Sequence, residues 1–102
     1  MSKNMDKLRT DYPDLYDCSV MLNDTVFNGK VLSKKELKLI AIALSVGLDN
    51  EVAIRKQMQN AICDYGITRD EIMDVLRMVL LMNGKPAFTK AVGILYSLTD
   101  SK

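Results

Sequence analysis

The sequence predicts an all-α fold, a bundle of about five to six helices. Apolar residues recur at the spacing of helix faces along most of the chain, which is the primary sequence signal for amphipathic helices. Glycines, prolines and capping residues divide the chain into segments of helix length. Because 102 residues is the size of one domain, we predict a single domain over residues 1–102.

The first helical region precedes Gly29. Residues 1–12 are predicted to form an N-terminal helix or extension. Pro13 suits the first turn of the next helix, because its ring fixes φ and a first-turn N–H has no intrahelical partner. That helix should run to about Asn28 and end at Gly29. Its apolar positions, which we expect in the core, are Leu15, Cys18, Leu22 and Val26.

The next two helices have recognisable ends. Ser33 and Glu36 form a capping-box pattern, in which each side chain bonds the other residue's backbone N–H. This helix should continue to about Gly47. Asp49 is the predicted N-cap of the following helix, and Gly66 is its predicted left-handed C-cap.

The last two helices repeat these signals. Thr68 and Glu71 form a second capping-box pattern, which starts a helix that Gly84 should end. Pro86 then stands where a helix accepts proline in its first turn. The predicted buried stripe of the final helix is Phe88, Ala91, Val92, Leu95 and Leu98.

Two of these helices are apolar around their whole circumference. Residues 37–46 contain only Lys38 and Ser45 as polar residues, and residues 75–82 contain only Arg77. Such helices either lie at the centre of a fold or meet another chain. Symmetric self-association is the common way to cover such surface, so we predict a homo-oligomer. The three methionines of the helix that contains residues 75–82, which are Met73, Met78 and Met82, are expected to be core filler.

Composition excludes several classes of function. The net charge is +1, with 14 basic and 13 acidic residues spread along the chain, so the electrostatic footprint of a nucleic-acid-binding protein is missing. The longest nearly apolar run is residues 39–48, roughly half a membrane span. The start of the chain does not have the pattern of a secretory signal. We expect a soluble, cytoplasmic protein without nucleic-acid or membrane partners.

Chemistry based on histidine is excluded outright. The chain contains no histidine and two cysteines, Cys18 and Cys63, which lie far apart in sequence. Imidazole general bases, Cys-His nucleophile pairs and histidine-ligated zinc are therefore impossible. The two cysteines form neither a zinc-binding nor a disulfide pattern. We predict reduced thiols, no metal and no cofactor.

Four segments in order resemble the carboxymuconolactone decarboxylase and alkylhydroperoxidase D superfamily over residues 32 to about 98. They are Leu32-Ser-Lys-Lys-Glu-Leu-Lys-Leu-Ile-Ala-Ile-Ala-Leu-Ser, the pair Ala61 and Gly66, Gly66-Ile-Thr-Arg-Asp-Glu-Ile72 and Gly84-Lys-Pro-Ala87. The resemblance implies an all-α fold like that of alkylhydroperoxidase D, assembled as a trimer or hexamer.

The motif that carries catalysis in that family is missing from this chain. The redox branch has a glutamate early in the long apolar helix, then C-x-x-C and a histidine four residues later. An ungapped comparison up to Ala61 places Lys38, Asn50, Ala53 and Gln57 at the glutamate, the two cysteines and the histidine. The lactone decarboxylase branch also uses a histidine in this helix. The resemblance therefore predicts the scaffold with a degenerate active site.

Three readings of function remain. The first is a divergent or non-enzymatic protein that binds a small molecule, with Gln57 and Arg77 as candidate ligand contacts, or that acts in assembly, alone or with a catalytically active relative. The second is a thiol peroxidase that uses Cys63, although a lone cysteine lacks a resolving thiol. The third is a histidine-free lactone or keto-acid decarboxylase, for which Lys38 is the lysine in an apolar setting.

Overall fold

The computed structural model describes residues 3–100, and within them it contains six α-helices and no strand. The all-α prediction is therefore confirmed. In chain order the helices are α1 (Lys3–Asp11), α2 (Pro13–Val26), α3 (Lys34–Gly47), α4 (Glu51–Tyr65), α5 (Arg69–Asn83) and α6 (Lys85–Thr99). None of these helices is long and apolar enough to cross a membrane.

The chain divides into two compact units, one made by α1 and α2 and the other by α3 to α6. In the first unit, Pro13 begins α2 as predicted. The helix ends at Val26 with Phe27 as C-cap, so the predicted stop at Gly29 is two residues too late. The prediction that Cys18 is a core residue is wrong, because Cys18 is exposed and α2 contains no buried residue.

The core of the second unit is formed by one apolar stripe from each helix. Residues spaced three and four apart lie on the same face of a helix, which brings each stripe to the centre. Helix α6 packs against both α4 and α5. The buried apolar residues are Ile42 and Val46 of α3, Ile54, Met58 and Ala61 of α4, Ile67 just before α5, Ile72, Leu76 and Val79 of α5, and Ala91, Ile94 and Leu95 of α6.

Most of the predicted helix ends of this unit are confirmed. Thr68 and Glu71 make both hydrogen bonds of the capping box. Gly66 has φ 64° and caps α4, a left-handed conformation that suits glycine. The predicted N-cap of α4 is one residue out: Asn50 caps the helix, whereas Asp49 has φ 56° and its carboxylate bonds Lys90 of α6 at 3.0 Å.

The outer faces of α3 and α5 carry exposed apolar side chains. On α3 the exposed residues include Leu44, and Leu48 lies just beyond the end of that helix. On α5 they include Met78 and Met82, which are one turn apart. The expectation of core filler is therefore wrong for Met78 and Met82, the latter being 74% exposed, and right for Met73, which packs against the core. The two apolar helices therefore bury one side and leave the other uncovered within the chain.

Candidate functional site

Helix α3 carries Lys38 and Ser45, the two buried polar side chains found among residues 3–100. Both lie on the stripe that also contains Ile42 and Val46. Ser45 is satisfied locally, because its Oγ donates to the carbonyl oxygen of Ile42 at 2.8 Å. Lys38 is 4% exposed, as its position in an apolar helix led us to expect, and needs partners from elsewhere.

The partner of Lys38 is a side chain of α4. The Nζ atom of Lys38 donates to Oε1 of Gln57 at 2.6 Å, which is short for an N–H···O bond and typical of one with a charged donor. Gln57 is half-buried beside Met58, at the edge of the buried stripe of α4. The structure thus joins two residues that lie nineteen positions apart in the sequence, one of which, Gln57, was a predicted ligand contact.

The end of α4 supplies the remaining electrostatics. The ring of Tyr65 lies under the Lys38 ammonium, with Nζ 5.4 Å from the ring centroid, a distance at which a cation and an aromatic face attract. Burial lowers the pKa of Lys38, the negative charge of Asp64 opposes that shift, and the positive charge of Lys56 adds to it. The Lys38 ammonium is therefore a partly desolvated cation that Tyr65 and Asp64 attract and Lys56 repels.

Neither Tyr65 nor Asp64 was identified as a site residue from the sequence. They lie seven or eight residues after Gln57 on the same helix, a spacing of about two turns that places residues on one side of a helix. The spacing was visible in the sequence. The sequence did not show that Lys38 of α3 lies next to this side of α4.

Asn50 and Ala53, the two residues that the sequence comparison placed opposite the family's cysteines, have a structural role. Asn50 is the N-cap of α4, and its side-chain oxygen accepts a hydrogen bond from the backbone N–H of Ala53 at 3.1 Å. Neither residue offers a nucleophile. This end of α4 therefore holds a helix cap.

The other sequence-predicted site residues lie on the surface. Cys63 is a free, exposed thiol on α4. Arg77, the candidate ligand contact of the second apolar segment, is 77% exposed, and its Nε lies 3.4 Å from a carboxylate oxygen of Asp74 one turn earlier. No cluster of three potential metal-ligating side chains occurs within residues 3–100.

An apolar groove runs between α3 and α5. Its volume is about 510 Å³, and no charged side chain lines it. The groove lies on the outer side of both helices and is open to solvent. It is lined by Ala43, Leu44, Gly47, Leu48, Met78, Val79, Met82 and Asn83.

The sequence that folds into this helical bundle matches a known protein family. The model of the carboxymuconolactone decarboxylase family matches residues 13–96 of this chain. The chain therefore belongs to the carboxymuconolactone decarboxylase family, as the resemblance predicted.

Relatives at the level of sequence come from an archaeon. One uncharacterised protein of Methanocaldococcus jannaschii is 55% identical over 96 residues, which cover 94% of this chain and 92% of the relative. Another uncharacterised protein of that organism is 31% identical over 91 residues, covering 89% of this chain and 84% of the relative. The names of these relatives state no activity.

A solved structure supports the fold. The crystal structure of an apo carboxymuconolactone decarboxylase family protein from Legionella pneumophila matches with a TM-score of 0.80 at 27% sequence identity. The match covers 93% of this chain and 84% of that chain.

Proposed function

We propose that this chain is a divergent member of its family that binds a small molecule within a homo-oligomer and performs none of the family's thiol or histidine chemistry. The observation that carries the proposal is the Lys38–Gln57 hydrogen bond, which fills the centre of the family's catalytic pattern with a cation and an amide. A glutamine side chain does not titrate, so it cannot take the place of an acid-base histidine.

The chemistry of the missing groups supports this proposal. Peroxide reduction requires a thiolate to attack and a second thiol to resolve the sulfenic acid. Asn50 and Ala53 stand at the positions of that pair, and their backbone and side chain are engaged in capping α4. A polar site built into the fold and deprived of reactive groups can still bind a ligand.

The uncovered apolar surfaces support self-association. The groove between α3 and α5 is uncharged, and the residues Leu15, Leu22 and Val26 of α2 are each more than half exposed. Both surfaces occur in every copy of the chain, so a second copy brings apolar surface to each groove without any other partner. We propose a trimer or hexamer, the assembly that the family resemblance implies.

Native mass spectrometry of the purified full-length chain tests both parts of the proposal. The expected spectrum shows one discrete trimer or hexamer, with additional mass on each subunit from a bound small molecule. A bare monomer under conditions that preserve other oligomers would overturn the proposed assembly. A bare oligomer that also retains no mass after incubation with a small-metabolite library would overturn ligand binding and leave an assembly role.

The exposure of Cys63 is the one observation that favours the alternative of a thiol peroxidase, because a reactive thiol must be reachable. Hydroperoxide turnover with dithiothreitol as reductant distinguishes the two functions. The binding function predicts that the chain and its Cys63→Ser variant show the same slow background rate. Turnover that the substitution abolishes would establish the peroxidase instead.

The buried position of Lys38 bears on the decarboxylase alternative. An amine that attacks a carbonyl must be neutral, and burial favours that form. The Tyr65 ring and the Asp64 carboxylate favour the ammonium. We propose that the ammonium form is the functional one, so that borohydride treatment in the presence of keto acids adds no mass to the chain. A trapped adduct on Lys38 would support the decarboxylase.

A further inference from the structure

Helix α2 presents an apolar face that is largely exposed within the chain. Leu15, Leu22 and Val26 recur at helical spacing on this face, and each is more than half exposed. Neither α1 nor α2 contains a buried residue. These helices have nine and fourteen residues, and helices of that length are marginal in water unless an apolar face is packed. The α2 face therefore needs a cover.

The unit made by α1 and α2 cannot replace a missing core by covalent means. It spans residues 1–34, and units below about 40 residues usually depend on disulfides, metals or association. Residues 1–34 hold a single cysteine, Cys18, and no histidine, so neither a disulfide nor a cysteine–histidine zinc site can form within them. The unit must be stabilised by packing against a further apolar surface.

The groove between α3 and α5 has the same chemical character as the α2 face. Cys18 and Ser19 complete that face between Leu15 and Leu22, so the face carries no charge. The groove is likewise lined by no charged side chain. Its walls are two helices, and a third helix that lays its apolar face between two others is a common mode of recognition. Small side chains such as those of Cys18 and Ser19 let helices approach closely.

We infer that the apolar face of α2 docks into the α3–α5 groove of a second copy of this chain. The inference rests on the proposed self-association and names the two surfaces that meet. These surfaces differ from each other, so each copy donates one face and receives another. An open string of copies leaves one face and one groove uncovered, whereas a closed assembly covers all of them.

Closure also makes a small contact sufficient. A stable interface between two proteins takes about 20–30 residues a side, which is more than one helix face or one groove supplies. In a closed assembly each copy uses both its face and its groove. Two contacts must then break before one chain leaves, so the assembly is tighter than a single contact.

The two native cysteines test the docked face without any substitution. Cys18 lies on the α2 face and Cys63 lies on α4, and both are exposed within the chain. The full-length protein is alkylated with iodoacetamide, and mass spectrometry compares the rate at each cysteine with its rate in urea. We expect the native assembly to slow the alkylation of Cys18 at least tenfold and that of Cys63 much less. In Leu44→Lys, Cys18 should react at close to its rate in urea.

Cross-linking identifies the surface that covers Cys18. Leu44→Cys places a thiol on the α3 wall of the groove and Met82→Cys on the α5 wall, each in a chain that also carries Cys63→Ser. A short bis-maleimide should join Cys18 of one chain to the groove thiol of another. Denaturing gels show that two chains are joined, and tryptic peptides identify the linked positions. We expect a yield at least tenfold above that of Val52→Cys, a matched exposed position outside the groove.

The outcomes separate this inference from the proposed function. Alkylation of Cys18 as fast in the native assembly as in urea would overturn the docking of α2. So would a link between two groove thiols that persists in Cys18→Ser, a link within one chain, or no link at either groove position. If native mass spectrometry shows a discrete oligomer in these cases, the proposed assembly stands with other surfaces in contact. A monomer would overturn both.

Discussion

Leu44→Lys is expected to separate the proposed oligomer into smaller species while leaving each chain folded. Leu44 lies in the groove between α3 and α5 and is 65% exposed within the chain. Lysine and leucine have similar helix propensities, so this change in the middle of α3 should alter the stability of the isolated chain by less than about 1 kcal/mol.

The size of the effect on assembly follows from the exposed fractions in the groove. Leu44 and Leu48 are 65% and 79% exposed, and Met78 and Met82 are 56% and 74% exposed. The four exposed fractions add up to the surface of between two and three fully exposed apolar side chains. At about 1.5–3 kcal/mol for each fully buried side chain, covering the groove contributes roughly 4–8 kcal/mol.

That contribution is of the same order as the free energy that association consumes in lost freedom of motion, about 4–15 kcal/mol. Loss of a single groove contact is therefore enough to change the assembly. Removing Leu44 forfeits about 1–2 kcal/mol of the covering, and a lysine ammonium held against the apolar partner costs several kcal/mol more. We expect the dissociation constant to rise at least a hundredfold, at about 1.4 kcal/mol for each factor of ten.

Sedimentation equilibrium over a wide range of protein concentrations measures this shift, and circular dichroism confirms the helical content. Val52→Lys is the matched control: Val52 is 77% exposed, yet it lies in a surface depression with Glu51, Arg55 and Lys56, where a lysine is readily solvated. The reasoning is refuted if Leu44→Lys assembles as tightly as the parent chain, or if Val52→Lys dissociates as readily.

Three further predictions concern single residues. Thr68→Ala should lower the free energy of unfolding by about 0.5–2 kcal/mol in urea titrations, since it removes the hydroxyl that accepts from the Glu71 N–H; Thr68→Ser should retain most of that stability, and equal losses would contradict the cap. Burial lowers the pKa of Lys38, so the unfolded chain holds this proton more firmly. The stability of the parent relative to Lys38→Met should therefore rise as the pH increases from the lowered pKa towards 10.5, and a relative stability that is flat or falls over that window would show the sign to be wrong. In native mass spectra, Cys63→Ser should form the same oligomer with the same bound mass as the parent, and a changed assembly would place Cys63 in an interface.

The helix ends that could be predicted from sequence are those fixed by local chemistry. The capping box of Thr68 and Glu71 and the left-handed Gly66 depend on residues within one turn, and both are present. The choice between Asp49 and Asn50 as the N-cap of α4 depends on more. Asp49 bonds Lys90, which is 41 residues away, and no local pattern shows that contact.

Burial was harder to predict than helicity. The spacing of Leu15, Cys18 and Leu22 shows that they share one face of α2, but spacing alone does not show that the face is covered, and all three are exposed. By contrast, the burial of Lys38 was predicted correctly, because residues 37–46 contain only one other polar residue, Ser45. The contact of Lys38 with Gln57 required the packing of α3 beside α4.

We propose that Lys38 and Gln57 replace two catalytic positions of the family, and that together they change what this site can do. A thiol relay needs a group that gains and loses a proton near neutral pH, and Gln57 cannot do so. With the glutamine in place, a carboxylate at position 38 would face an amide that offers it hydrogen bonds and no proton to exchange. The lysine instead donates to the amide oxygen and brings a positive charge into the core. We propose that a buried charge held by an amide that does not titrate favours binding over proton transfer, so we assign the site a ligand before a reaction.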